Sequence, residues 1–247
     1  YPFFVNSYLP DNENTFVIYN DAKINIEAGK YVREYLKKTS ELDFTKLNTF
    51  SNWRNQLSNE YNNLFVVEGN YFNSIEHFLQ YSKFNNRIDI SSLNDRKKYQ
   101  QFANRFMFNT YHRGIYSAVT GSQAYIEGSK VNTDLYDIHI TDDWLTLRPT
   151  VLKKALYSKC VQNKNIIEML KYTKNAILIS PFKGKNRKFK YRINKELMFV
   201  RYLLIHEIKP DFYDNYKKDI EIYNVLKSSK YRESISTDYD FAAYEQI

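Results

Sequence analysis

YFNSIEHFLQYSKF, residues 71–84, is the stretch on which the fold turns. Ile75, Phe78 and Leu79, with Ser82 on the rim, recur at helical spacing and form an apolar stripe. Glu76, Gln80 and Lys83 fall at i, i+4 and i+7 and so share one face, with His77 beside Glu76 and Gln80. Asn73 with Glu76 three residues later has capping-box spacing, and Ser74 is a second N-cap candidate. The spacing predicts an amphipathic helix. Its polar face is either a capping Glu among solvated neighbours or a surface that carries chemistry.

Outward from this helix, NNLFVVEGNYF reads as a strand that turns at Glu68, Gly69 and Asn70. TFVIYN and KINIEAG read as short strands, GKYVREYLKK as a short helix and LNTFSNWRN as a loop. Residues 88–113 are expected to be helical, and SAVTGSQAYIEGSK to hold a short helix bounded by turns at Gly121 and Gly128. VNTDLYDIHITDDW is expected to be a loop. A long helix follows, with Pro149 in its first turn and a break at Asn163 to Asn165. Val151, Leu152, Ala155, Leu156, Val161, Ile166, Ile167 and Leu170 supply its buried side. NAILIS is a short strand and NKELMFVRYLLIHEI a buried helix that contributes Leu197 and Met198 to the core. The expected fold is α+β and mostly helical, with a small sheet. Residues 1–45 form an N-terminal extension, 46–205 the main domain and 206–247 a C-terminal helical tail.

The chain has 247 residues, long enough to bury a sizeable core. Its 23 Tyr and 17 Phe, with many Asn and Lys, suggest an AT-rich genome rather than a function. A single Cys, Cys160, excludes an intramolecular disulfide and disfavours a Cys-based zinc site. None of His77, His112, His139 and His206 has zinc spacing to a second ligand, so no metal is expected. Walker, dinucleotide-binding and G-x-S-x-G motifs are absent, and no cofactor is implied. There is no run of about eighteen apolar residues and no visible signal peptide, which predicts an intracellular protein, cytoplasmic or nuclear, without a membrane partner. The start at Tyr1 predicts a fragment or processed form.

The net charge of +8 is compatible with a basic protein of no special partner, or with an anionic one. KGKNRKFKYR, residues 183–192, carries six cations and no anion. Its plain reading is an exposed loop. The sharper reading is a phosphate or nucleic-acid contact through Lys185, Arg187, Lys188 and Lys190, with Phe189 or Tyr191 stacked on a base. On the helix, carboxylates and a Lys can do acid-base work on a glycosidic bond, and a deprotonated Lys can attack a sugar's C1.

FSNW (50–53) followed by VEGNYFNSIEHFLQYSKF (67–84) resembles the first signature of the NADAR family, also called YbiA-like. The matches are Phe50, Ser51, Asn52, Gly69, Glu76, His77, Gln80, Lys83 and Phe84. DWLTLRPTVLKKALYSKCVQN (143–163) is similar to the second signature through Asp143, Trp144, Arg148, Val151, Ala155, Leu156, Lys159, Gln162 and Asn163, continued by Leu170 and Thr173. Leu197, Met198, Val200 and Arg201 match a third piece. The resemblance spans roughly residues 45–205 and implies a YbiA-like fold that cleaves N-glycosidic bonds of an ADP-ribosyl or ribosylamine group. ADP-ribosylated guanine in nucleic acid is one such substrate. It implies Lys83 as the Schiff-base amine and Glu76 as proton donor, with Asn52, His77, Gln80, Trp144 and Arg148 binding an ADP-ribose-like or nucleotide ligand.

One segment departs from the family. ILISPFKGKNRKFKYRIN (177–194) has no Asp, Glu or Trp where the family carries an acid and D-x-x-W-G, and Tyr191 and Asn194 stand where its Asn and Gly would be. The alternative is therefore a catalytically inactive NADAR fold that serves as a binding or structural subunit with protein partners. A viral particle or a nucleoprotein complex would suit such a subunit, and a virion location is compatible with the composition.

Overall fold

The structure is a computed structural model that describes residues 14–19, 26–31, 34–85, 90, 92–108, 120–141, 143–183, 189–211, 218–222 and 224, with no side chains described for 38–43 and 182–190. Its elements begin with β1 (Thr15–Val17), a 3-10 segment (Lys38–Thr49), α1 (Trp53–Gln56), β2 (Phe65–Val67), β3 (Asn70–Phe72), α2 (Ile75–Phe84) and α3 (Leu93–Asn104). They continue with α4 (Gly121–Glu127), α5 (Lys130–Leu135), α6 (Trp144–Gln162), α7 (Lys164–Tyr172), β4 (Ile177–Lys183), β5 (Phe189–Ile193) and α8 (Lys195–Ile205). The fold is α+β and mostly helical, as the hydrophobic periodicity predicts.

Alternation organises the larger sheet. Successive strand residues face opposite ways, so Phe16 and Ile18 enter the main core while Val17 and Tyr19 join Ile179 in a smaller cluster behind it. β1 runs parallel to β4, with Phe16 opposite Leu178, and β4 pairs antiparallel with β5, giving the order β1-β4-β5. β2 and β3 form a separate hairpin, with Phe65 opposite Phe72. Its two turn residues, Glu68 and Gly69, both have left-handed φ values, 53° and 75°, as a tight hairpin turn requires. The carboxylate of Asp219 accepts both turn amides, from Glu68 at 2.9 Å and from Gly69 at 2.7 Å.

The helices close over α2 and α6. Leu152, Leu156, Leu170 and Leu197 are buried as predicted, and Met198 packs half-buried against them. Phe72 meets Phe78 edge-on at 5.1 Å, and Phe84 meets Phe102 edge-on at 4.9 Å. The amide of Gln162 is paired like a strand residue: its Oε1 accepts from Val66 N at 2.7 Å and its Nε2 donates to Val66 O at 2.6 Å.

Four local expectations are corrected. Glu34 to Lys37 is not helical, because Tyr35 pairs with Thr15 through backbone hydrogen bonds of 2.8 and 3.2 Å. FSNWRN is not a simple loop, since α1 starts at Trp53. Arg54 is drawn in there by a two-pronged ion pair with Glu34, at 2.8 and 2.7 Å. The expected loop after Gly128 contains α5. Pro149 lies inside α6, beyond its first turn, because the helix already begins at Trp144. Asn163 does separate α6 from α7.

Candidate functional site

Ser74 caps α2. Its backbone is extended, its Oγ accepts from His77 N at 3.4 Å, and the same oxygen lies 2.8 Å from His77 Nδ1. The serine, rather than Asn73, therefore starts the helix, and it also holds the buried His77 ring in place.

The polar face of α2 is not solvated. Only Ser82 of the ten helix residues escapes burial, and Glu76, Gln80 and Lys83 are 6%, 6% and 9% exposed. α4 lies along this face. At one end, Asn59 O accepts from Glu76 N at 3.0 Å, and a Cβ on Gly121 would stand 2.4 Å from the Glu60 carbonyl oxygen. At the other end, a Cβ on Gly128 would stand 1.9 Å from Gln80 Oε1. Gly121 and Gly128 are seven residues apart, as are Glu76 and Lys83. Seven residues of helix rise about 10 Å, so the two helices match in length where they touch.

A hydrogen-bonded row runs along the interface. Gln80 Nε2 donates to Glu76 Oε1 at 2.6 Å. Lys83 Nζ donates to Gln80 Oε1 at 3.3 Å and to Gly128 O at 2.5 Å. Burial pushes the Glu76 carboxyl above the usual carboxylate range. The Gln80 hydrogen bond, Arg148 and Lys83 oppose that rise, and the Glu60 carboxylate adds to it. Burial pulls the Lys83 amine down to about 8, against the pull of Glu76 and with a further push from Arg148. Desolvation thus favours a neutral acid and a partly neutral amine on the same face.

α6 supplies the cation. Trp144, buried at its first position, and the half-buried Arg148 stand one turn apart on one side of the helix, and Arg148 acts on both Glu76 and Lys83. Asn52 heads α1 with a left-handed φ of 52° and is half-buried. Lys185, Arg187 and Lys188 lie outside the described residues, and of Lys190 only the strand backbone, opposite Phe182, is described.

Other residues picked out by the sequence turn out to brace the fold. Lys159 is 2% exposed and donates to Gln56 O at 3.2 Å and Ser58 O at 3.1 Å, with its amine brought down to about 8 by burial. The neighbouring Cys160 thiol is buried and pushed up to about 12, so it stays protonated. Arg201 donates to Thr173 Oγ1 at 2.8 Å, joining α8 to the end of α7. Glu60, whose carboxylate accepts from Ser122 Oγ at 2.5 Å, is a site neighbour that no periodicity pointed to.

A groove of about 280 Å³ opens on the opposite face of α2, between Phe78, Tyr81 and Ser82 on one side and Leu147, Val151 and Lys154 on the other. Among the described residues, no group of three His, Cys, Asp or Glu side chains could hold a metal ion. None of the described helices is long and apolar enough to cross a membrane.

The architecture defines a class, a mostly helical α+β protein with a buried acid-amide-amine row between two helices. No family model matches the chain, and no curated protein matches it. Among solved structures, the NMR structure of the E. coli protein YbiA is similar at 20% identity and a TM-score of 0.42, over 62% of this chain and 80% of that one.

Proposed function

We propose that the protein is an N-glycosidase acting on an ADP-ribosyl or ribosylamine group, with ADP-ribosylated guanine as the substrate class that suits its basic character. One observation carries this reading: a carboxyl raised by burial and an amine lowered to about 8 lie along one hydrogen-bonded helix face. The sequence resemblance to the NADAR signatures supports it at the same residues.

In this reading the neutral Lys83 amine bonds to C1′ of the ribosyl group as the C1′–N bond to the base breaks. The bonding pair leaves with the base, which takes its proton from Glu76. The sugar ring opens, the ring oxygen takes the proton that the lysine nitrogen gives up, and an iminium links Lys83 to C1′. Water then adds to C1′ and releases the sugar as its open-chain aldehyde. Trp144 stacks on the ligand and Arg148 holds its phosphate.

Borohydride trapping tests this. The wild-type chain incubated with ADP-ribosylated guanine or a ribosylamine should gain the sugar mass on Lys83. Lys83→Ala and Lys83→Arg should gain none and release no base, because a guanidinium stays protonated. No adduct and no turnover with either substrate would end the glycosidase reading.

A second reading is favoured by the two acceptors that already satisfy the Lys83 amine and by a groove that opens on the other face of α2. In that reading the row is a structural tie, and the fold serves as a binding or structural subunit.

A further inference from the structure

The α1–β2 loop crosses the head of α2 and brings a second carboxylate to the buried row. Its position is fixed from three sides. Asn59 O accepts from Glu76 N at 3.0 Å, which places the next residue, Glu60, beside the start of the helix. The Glu60 backbone occupies the space that a side chain on Gly121 would need. Ser122 Oγ donates to Glu60 Oε2 at 2.5 Å, so the carboxylate is held from α4. Glu60 is half-buried, whereas Glu76 is 6% exposed.

We propose that Glu60 is the second catalytic carboxylate of this site, the base that activates water, while Glu76 is the acid that serves the departing base. The inference rests on the glycosidase reading. Two carboxylates in unequal surroundings divide the labour: burial pushes Glu76 toward its neutral form, which suits an acid, while Glu60 stands nearer water and is held in place by the Ser122 hydroxyl, which suits a base. The groups that act on Glu76 fit this division. Burial favours its neutral form and Glu60 from the loop adds to that, against the Gln80 hydrogen bond, Arg148 from α6 and Lys83 from α2. His77, beside Glu76 on α2, is engaged with Ser74, and burial raises the Glu127 carboxyl on α4 against the pull of Arg105.

The step balances. Glu60 takes a proton from water as the water oxygen bonds to C1′ of the iminium, leaving a neutral carbinolamine on Lys83. A bridging water carries that proton from Glu60 back to the lysine nitrogen as the C1′–N bond breaks. The bonding pair goes to nitrogen, and the C1′ hydroxyl becomes the aldehyde carbonyl, its proton passing to the Glu76 carboxylate. Both carboxyls and the amine end as they began.

The test is Glu60→Gln, which keeps an oxygen for Ser122 and removes only the base. With ADP-ribosylated guanine, the first turnover of base release should stay within a few-fold of wild type. Steady-state turnover should fall by roughly 10²–10⁴, and the borohydride-trapped adduct at Lys83 should accumulate. Glu60→Asp should recover part of the turnover, and circular dichroism of both variants should match wild type. Wild-type steady-state turnover in Glu60→Gln, or equal loss of first turnover and adduct, overturns the role of Glu60 alone. Absence of adduct and turnover in the wild-type chain overturns the glycosidase reading and this inference with it.

Discussion

The carbonyl oxygen of Gly128 receives the Lys83 amine at 2.5 Å, across 45 residues of sequence. The glycine is needed because Gln80 fills the space where its side chain would stand. The clash would be with the far end of the Gln80 side chain, so a methyl group here has to displace that amide from the row.

Gly128→Ala should therefore displace the Gln80 amide and break its hydrogen bonds to Glu76 and Lys83. Overpacking of this kind costs about 1–3 kcal/mol, read as a lowered melting temperature. Lys83 should become more exposed, and its amine should move back toward the ordinary lysine range, which amine labelling across a pH series would report. A variant that melts and labels like wild type would mean that the Gln80 amide does not fill the space beside Gly128.

The period of α2 was legible in the sequence, and so were its cap region, the β2–β3 turn and the break at Asn163. All are local features: spacing, a polar residue before an apolar run, and residues that favour turns. Burial of the polar face was not legible, because it depends on α4, whose two glycines read as turn punctuation. Arg54 was missed for the same reason. Its partner Glu34 is 20 residues away, and nothing in FSNWRN signals it. Lys159 sits among Ala155, Leu156 and Cys160 in phase with the core, and that phase was the available sign of its burial. Glu60 gives no periodic signal because it is on a loop.

Lys159 makes stability depend on pH in a defined direction. Its folded-state amine titrates near 8 and its unfolded amine near 10.5, so between those values the unfolded chain holds more protons and stability rises with pH. Below pH 8 the cost of a buried charge is fully present. Urea melts at several pH values should show wild type gaining on Lys159→Met by on the order of 2–3 kcal/mol between pH 8 and 10.5. Lys83 shifts the same way in both chains and drops out of the difference. Parallel curves would mean that Lys159 is solvated.

Arg54 and Glu34 form a buried pair at 2% and 0% side-chain exposure, and Glu34 also accepts from Val17 N at 2.9 Å and Gly29 N at 2.9 Å. Removing one partner strands a charge. Glu34→Ala should cost about 3–5 kcal/mol, and the double variant with Arg54→Leu should recover part of it. Equal stability of the single variant and wild type in a denaturant melt would refute the pair.

Asp219 ties the 218–222 segment to the β2–β3 turn through two backbone amides. Asp219→Ala should cost about 1–3 kcal/mol. Hydrogen exchange should speed up at the Glu68 and Gly69 amides, with α8 unaffected. Unchanged exchange at those two amides would show that the carboxylate does not hold them.

Gln162 has a consequence at the far end of its helix. By pairing both polar atoms of Val66, its amide fixes the rotation of α6 about its own axis. Eighteen residues separate Gln162 from Trp144, about five full turns at 3.6 residues each. The two side chains therefore share one azimuth, and the hairpin acts as a keyway. A shift of one residue in the Gln162 contact would swing Trp144 and Arg148 by about 100°, so the aim of the cationic end is set by a peptide group nowhere near it.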